Sequence, residues 1–490
     1  MKIQANKVAR YLKKEPRAFT KKDIIKFIEG NDIRMVNFRY VGGDGKLKTL
    51  NFSISDTNYL DRVLSAGERV DGSSLFKNID ASSSDLYVIP KYKTAFVNPF
   101  SEIPTLELLC SFYTPDGKPF ESSPENILSR AGSIFKKTTG HEFHALGELE
   151  YYVIAPKDSL YPMNAQKGYH ESYPFAKWEA LRCEAMDAIS GAGGKLKYGH
   201  SEVGFIRTQD DEMSQQEIEF LPVDAVDAAD QLTIAKWMLS AIGYKYGVTL
   251  SFAPKISVGH AGSGLHFHTC LVKNNRNAMI EKGNLSLGAK KTISGYMTLA
   301  KSLTAFGNTV PTSYLRLVPH QEAPTKICWG FRDRSALVRV PLSWINAGNM
   351  VGSLNPGLNK TNFKVDHGQT VEFRSADGSA NIYLFLAGLC VAARHGFEMK
   401  NSLEISKKFF ADKNSGKGNA KFGSLPASCF DSADTLRADR AIYEKYGVFS
   451  SSVIDSTIKR LQSYDDKDLS ETLYGKEDEI KKLVEEYLYC

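Results

Sequence analysis

Four short segments place two ionisable residues two positions apart: Glu148-Leu149-Glu150, Glu217-Ile218-Glu219, His266-Phe267-His268 and Glu372-Phe373-Arg374. Side chains alternate across a strand, so residues i and i+2 share one face about 7 Å apart. Glu148 and Glu150 then point one way while Leu149, Tyr151 and Val153 pack the other way. Two carboxylates at that separation repel by about 2 kcal/mol at an effective dielectric of about 20, and more when buried. A single E-x-E strand is commonly a solvated outer face. Four such segments, supplying carboxylate, imidazole and guanidinium but no thiolate motif, call for positive charge between them. Hard oxygen donors with a rare histidine suit magnesium or manganese and not structural zinc. Arg332, Arg334 and Arg339 follow one another in FRDRSALVRV, and cations beside guanidinium groups are an arrangement for phosphoryl transfer. No G-x-x-x-x-G-K-[ST] sequence is present, so a P-loop is not the nucleotide site.

These segments need a scaffold, and the chain is long enough for two unequal domains: 490 residues, 42% hydrophobic and 24% charged, is ordinary globular usage. Residues 33–53 predict a hairpin, with alternating apolar residues on either side of Gly42-Gly43-Asp44-Gly45. The turn formers of YTPDGKPFESSP, near 114–124, mark a boundary between a small β-rich domain over 1–118 and a larger one over 119–490. Beyond it, Ser123-Pro124 opens a capped amphipathic helix that Gly140 closes. A second helix is predicted over about 224–246, and the region from about 431 is helical and charge-rich. The seven scattered cysteines form no C-x-x-C pair, and the N-terminus has no apolar signal stretch, which together predict a reducing, cytoplasmic setting. No apolar run is long enough to span a bilayer, and a net charge of +6 without a nucleic-acid motif predicts neither a membrane nor a nucleic-acid partner.

In their order and local wording the segments resemble those of glutamine synthetases, over about residues 30–400 and in at least six motifs. The resemblance implies an α+β fold: a small N-terminal β-grasp-like domain, then a large catalytic domain whose curved antiparallel sheet forms a metal-lined funnel flanked by helices. Val70-Asp71-Gly72-Ser73-Ser74 looks like the family's latch, and by that similarity Asp71 reaches a neighbouring subunit's site, binds ammonium and takes its proton. Gly147-Glu148-Leu149-Glu150, His200-Ser201-Glu202-Val203 and Gln216-Glu217-Ile218 resemble the metal strands. They imply one ion on Glu150, Glu202 and Glu217, and another on Glu148, His266 and Glu372. GSGLHFH implies Gly262 near the amino-acid substrate and His268 beside ATP; Arg316-Leu317-Val318-Pro319 with Glu322-Ala323-Pro324 implies Arg316 on the substrate carboxylate and Glu322 on a shielding flap. Arg334 and Arg339 would contact phosphate oxygens, and Arg374 would hold glutamate.

The implied reaction is a two-step ligation: ATP phosphorylates the γ-carboxylate of glutamate, and ammonia displaces the phosphate. Two magnesium or manganese ions and homo-oligomeric rings, a dodecamer in the family, go with it. A γ-glutamyl ligase for an organic amine, or a catalytically silent relative, would keep the same framework. The sequence departs from the family pattern in places. Glu202 and Glu217 are separated by an extra stretch, FIRTQDDEMS, expected to fold away as a loop. Ala261, Cys270 and Thr370 replace an asparagine, a serine and an arginine, residues 342–369 are longer than usual, and no adenylylation-site tyrosine loop is recognisable.

Overall fold

The computed structural model describes all residues except 1–2, 78, 80–81, 83, 320–322, 346–349, 356, 358–367, 412–421 and 474. Two large apolar cores, with a small third cluster of Cys328, Ala336 and Phe422, divide the described residues. One gathers residues between Val8 and Phe112; the other gathers the later helices and sheet and borrows Val41, Phe96 and Leu109 from the first.

The predicted hairpin forms from strands Met35–Val41 and Leu47–Ser53, in antiparallel register from Met35↔Ser53 to Val41↔Leu47. Met35–Val41 pairs in parallel with Thr105–Tyr113 on its other side, and Asp85–Pro90 and Glu68–Asp71 complete the path. Helix Lys21–Gly30, opened by a capping box between Thr20 and Asp23, and helix Thr57–Ala66 bury Ile24, Phe27, Leu60 and Val63 in this first core. The result is a β-grasp sheet, which ends at the exposed turn carrying Asp71.

The second unit opens with helix Pro124–Thr139. Gly140 ends it in the left-handed region (φ 72°), where a glycine costs no Cβ clash, while the Ser123 hydroxyl makes no capping bond. Seven strands of a ten-stranded curved sheet follow the path Trp329–Phe331, Val338–Val340, Val371–Phe373, Leu265–Lys273, Glu142–Pro156, Asp211–Phe220 and Leu196–Arg207, and the short strands Val223–Asp224, Thr249–Ser251 and Arg276–Asn277 pair beside it. Every described pairing in it is antiparallel except that of Trp329–Phe331 with Val338–Val340, which is parallel. Helices Ala225–Tyr246, Leu287–Gly307 and Ile382–Glu398 cover the convex, apolar side. Leu149, Tyr151 and Val153 point into that layer fully buried, each worth about 1.5–3 kcal/mol of apolar transfer for a residue of Leu size.

The stretch FIRTQDDEMS does not form the expected loop. It extends two strands into a longer hairpin, with Phe205↔Ser214, Ile206↔Met213 and Arg207↔Glu212 in register. The irregularity that absorbs the extra length lies between Ser201 and Phe205 and includes Glu202, while His200 and Glu217 beside it keep their pairing. The C-terminal helices begin at Cys429, and no disulfide joins any of the seven cysteines.

Candidate metal and nucleotide site

Register brings the paired residues together. On the central strand Glu142–Pro156, Glu148 faces His266 on one side and Glu219 on the other, while Glu150 faces Glu217. His268 faces Glu372, Glu372 faces Arg339, and Glu217 faces His200. Since each residue directly opposite another on a sheet shares its face, one concave surface collects all of these groups. Gly147 permits this by its size: a β-carbon there would lie 2.8 Å from the Leu232 methyls of the covering helix.

The face lines a cavity of about 640 Å³. At its centre, His266 Nδ1 lies 3.1 Å from Glu148 Oε2 and 3.8 Å from both Glu150 Oε1 and Glu372 Oε1. The Arg316 guanidinium stands 3.4 Å from His266 Nε2 and donates to the Ser375 carbonyl at 2.7 Å. Glu150 Oε2 accepts from the Gly264 backbone N–H at 2.7 Å and from Gln215 Nε2 at 3.2 Å. Gln215 Nε2 also donates to the Gly262 carbonyl at 3.1 Å, tying the glycine loop to the carboxylate strand. Glu372 is held by two guanidinium groups, Arg339 Nη1 at 2.7 Å and Arg374 Nε at 2.9 Å, and Arg374 donates in turn to the Arg334 carbonyl.

Two groups of side chains each bring one donor atom per residue within 4.8 Å of the others in that group: Glu148, His268 and Glu372, and His200, Glu202 and Glu217. Both contain two carboxylates and one imidazole, a donor set that a hard divalent cation fits. The electrostatics agree. Burial, then Glu148, Glu150, Glu202 and Glu219, push the Glu217 carboxyl well above the ordinary carboxylate range, as crowded buried carboxylates do. Burial would raise Glu148 too, but the charges and hydrogen bonds of His268 and His266 outweigh it and hold this carboxyl well below its usual value.

The sequence-predicted residues divide as follows. Glu148, Glu150, Glu202, Glu217, His266, Glu372, Gly262, His268, Arg316, Arg334, Arg339 and Arg374 all line the one cavity. His268 sits closer to Glu148 and Glu372 than expected for a nucleotide contact alone, its Nε2 being 2.9 Å from Glu148 Oε1. Thr370 is the reason: its hydroxyl holds His268 Nδ1 at 2.8 Å and turns Nε2 toward the carboxylates. Asp71 does not line this chain's cavity; it lies exposed in its turn, bonded to the Ser73, Ser74 and Ser84 hydroxyls and the Ser73 N–H at 2.7–2.9 Å. Those bonds, the Ser73 hydroxyl's foremost, hold its carboxyl well below the usual range. Glu322 lies outside the described residues. Sequence reasoning did not single out His200, although its i, i+2 spacing to Glu202 carried the signal, nor Lys197, whose ammonium meets Glu219 Oε1 at 2.7 Å.

A β-grasp sheet followed by a curved sheet with acid and imidazole groups on its concave face defines a two-domain enzyme class. Residues 121–472 match the family model for the glutamine synthetase catalytic domain and residues 32–115 match that for the glutamine synthetase β-grasp domain. The chain belongs to the glutamine synthetase family. It is 28% identical to the glutamine synthetase of Thermus thermophilus over 442 residues, covering 88% of this chain and 92% of the relative. It is 29% identical to the 3-hydroxylaminophenol mutase of Cupriavidus pinatubonensis over 482 residues, covering 89% and 94%. Its fold resembles that of Plasmodium falciparum glutamine synthetase (TM-score 0.75, 20% identity, 94% and 97% covered) and that of GmaS without ligand (TM-score 0.71, 18% identity, 91% and 97% covered). Among the described residues no single helix is long and apolar enough to cross a membrane.

Proposed function

We propose that the protein is a glutamate–ammonia ligase that consumes ATP, built from two domains over residues 1–118 and 119–490 and acting in the cytoplasm, where cysteines outside any disulfide stay reduced. The observation that carries this reading is the convergence of six carboxylate and imidazole groups with Arg316, Arg334, Arg339 and Arg374 on one cavity. Glu150, Glu202 and Glu217 would hold one magnesium or manganese ion, and Glu148, His266 and Glu372 the other, with His200 beside the first group and His268 beside the second. Bound there, the cations would offset the charge on a transferring phosphoryl group.

The chain's own groups supply the rest. Arg316, anchored on the Ser375 carbonyl, is placed to grip the α-carboxylate of glutamate, with Gly262 and Arg374 beside it. Arg334 and Arg339 attract the phosphate oxygens of ATP, with His268 alongside. The γ-phosphoryl group passes to the γ-carboxylate of glutamate and ADP leaves; ammonia then forms the C–N bond as phosphate leaves. Asp71, whose three hydroxyl partners keep it ionised, suits the binding of ammonium from a neighbouring subunit's turn. It receives the ammonium proton only against its low basicity. Glu322 is the proposed shield against water. Rings of subunits, a dodecamer in this reading, would bring the Asp71 turn to the next funnel through closed head-to-tail contacts.

A second reading, a γ-glutamyl ligase using an organic amine, draws support from the aromatic wall beside the Glu202 group. Tyr169 stacks on His170 with 4.3 Å between ring centroids, His170 packs on His200 at 4.3 Å, and Tyr169 lines the cavity. Phosphate release measured with ATP, glutamate and either ammonia or a series of alkylamines separates the two. Ammonia as the best acceptor supports the first reading, a preferred alkylamine replaces it with the second, and no release with any acceptor removes both.

A further inference from the structure

A second cavity, of about 350 Å³, lies at the junction of the N-terminal segment, the first domain and helices Glu179–Gly191 and Ala225–Tyr246. Its size is that of a site for a small organic ligand. Phe96, Leu109, Ile189 and Ile234, each at most 5% exposed, contribute its apolar surface.

Among these apolar walls is one polar group with nothing to bind. Gln231 is 9% exposed, and its Oε1 accepts from the Lys195 backbone N–H at 3.0 Å, which fixes the orientation of the amide. Its Nε2 has no hydrogen-bond partner among the described residues. A buried donor left unpaired is costly, and an acceptor brought by a ligand would relieve it. The charged groups nearby are already matched. Asp227 meets Lys93 at 2.5 Å and Arg17 at 3.1 Å, and Asp230 meets Lys91 at 3.0 Å and the Tyr383 hydroxyl at 2.7 Å. Glu15 and Lys195, both exposed, bring opposite charges to the rim. Neither a cation nor an anion is called for.

We infer that this cavity is a second ligand site, separate from the funnel, for a neutral, largely apolar small molecule that presents a carbonyl or heteroaromatic acceptor to Gln231 Nε2. The site is also coupled to the funnel. Leu232, the next residue on the same helix, packs over Gly147, which directly precedes Glu148. Displacing this helix therefore moves the back of the carboxylate strand.

The test is saturation-transfer NMR on the full chain with quinoline and benzamide as neutral probes and phenylacetate as the charged control, alongside Gln231→Leu and the cavity-filling Ala192→Trp. We expect at least one neutral probe to bind saturably and better than phenylacetate, unaffected by excess ATP. Gln231→Leu should weaken it about three- to tenfold, the range for one lost hydrogen bond, and Ala192→Trp should abolish it with the circular dichroism spectrum unchanged. Should Ala192→Trp not fold, Gln231→Leu decides alone. No saturable binding by either neutral probe, binding indifferent to Gln231→Leu, or displacement by ATP overturns the site. A saturating probe that leaves the Mn²⁺ titration of the protein unmoved overturns the coupling.

Discussion

His268 Nε2 lies 2.9 Å from Glu148 Oε1, which joins a buried imidazole and a half-buried carboxylate from adjacent strands into one ion pair. Burial alone would favour the neutral form of each. Instead Glu148 raises His268 above its ordinary value of 6.5, and the two histidines lower Glu148 below its ordinary 4.5. Glu217 has His200 Nε2 at 3.4 Å, but burial lowers the basicity of that imidazole, and this asymmetry sets how the protein responds to pH and to metal ions.

The first prediction follows from the signs. Glu217 is raised, so the folded protein holds its proton more tightly than the unfolded chain, and the resulting stability fades as pH rises through 4.5 toward the raised value. His268 is also raised, so its contribution is complete below 6.5 and is lost above its folded value. Glu148 is lowered, and its contribution is present above 4.5 and lost only on acidification. From pH 6 to pH 8 the two raised groups therefore act in the same direction. In EDTA the melting temperature should fall over that interval, and Mn²⁺ should restore it. Glu217→Gln should stabilise the EDTA-treated protein at pH 8 by about 1–3 kcal/mol and weaken Mn²⁺ binding at least about tenfold. Calorimetry on both proteins checks this; a Glu217→Gln variant less stable than the parent at pH 8 would contradict it.

Thr370 orients His268 through a 2.8 Å contact to Nδ1. Replacing it by valine keeps the shape and removes the hydroxyl, leaving the imidazole free to turn from Glu148. Partners that orient metal-site histidines are worth about 10- to 100-fold in affinity. Thr370→Val should accordingly lose about tenfold in Mn²⁺ affinity while melting within a few degrees of the parent. Isothermal titration with unchanged affinity would show that Thr370 has no orienting role.

Asp71→Asn tests the latch. The variant should bind ATP and glutamate as the parent does, because Asp71 lies outside this chain's cavity. Turnover with ammonia should fall about tenfold to a hundredfold. Hydroxylamine, neutral at pH 7, should lose less, so its rate relative to ammonia rises. An equal loss with both nucleophiles, with assembly unchanged, would remove Asp71 as the group that binds ammonium and accepts its proton.

Assembly provides the fourth check. With Asp71 remote from its own funnel, activity with ammonia should require oligomers, and light scattering should show a species several times the 54.4 kDa of one chain. A monomer with full turnover at micromolar concentration would be incompatible with a latch donated by a neighbour.

The alternation of polar and apolar residues at Glu148–Glu150, Glu217–Glu219, His266–His268 and Glu372–Arg374 was enough to show strands with one functional face, because a period of two is a local property. The hairpin at 33–53 and the helices after Ser123 and Asp224 were legible for the same reason, each being set by turn or cap residues within a few positions. Register is not local. That Glu150 stands opposite Glu217, that Lys197 pairs with Glu219, and that Thr370 holds His268 all depend on pairings between residues 22 to 102 positions apart. Such pairings are decided by packing against the helices behind the sheet, as when Leu232 fills the space left by Gly147. The residue types determined what chemistry the chain can support, and the tertiary structure decided which groups meet, because only folding brings distant strands into one register.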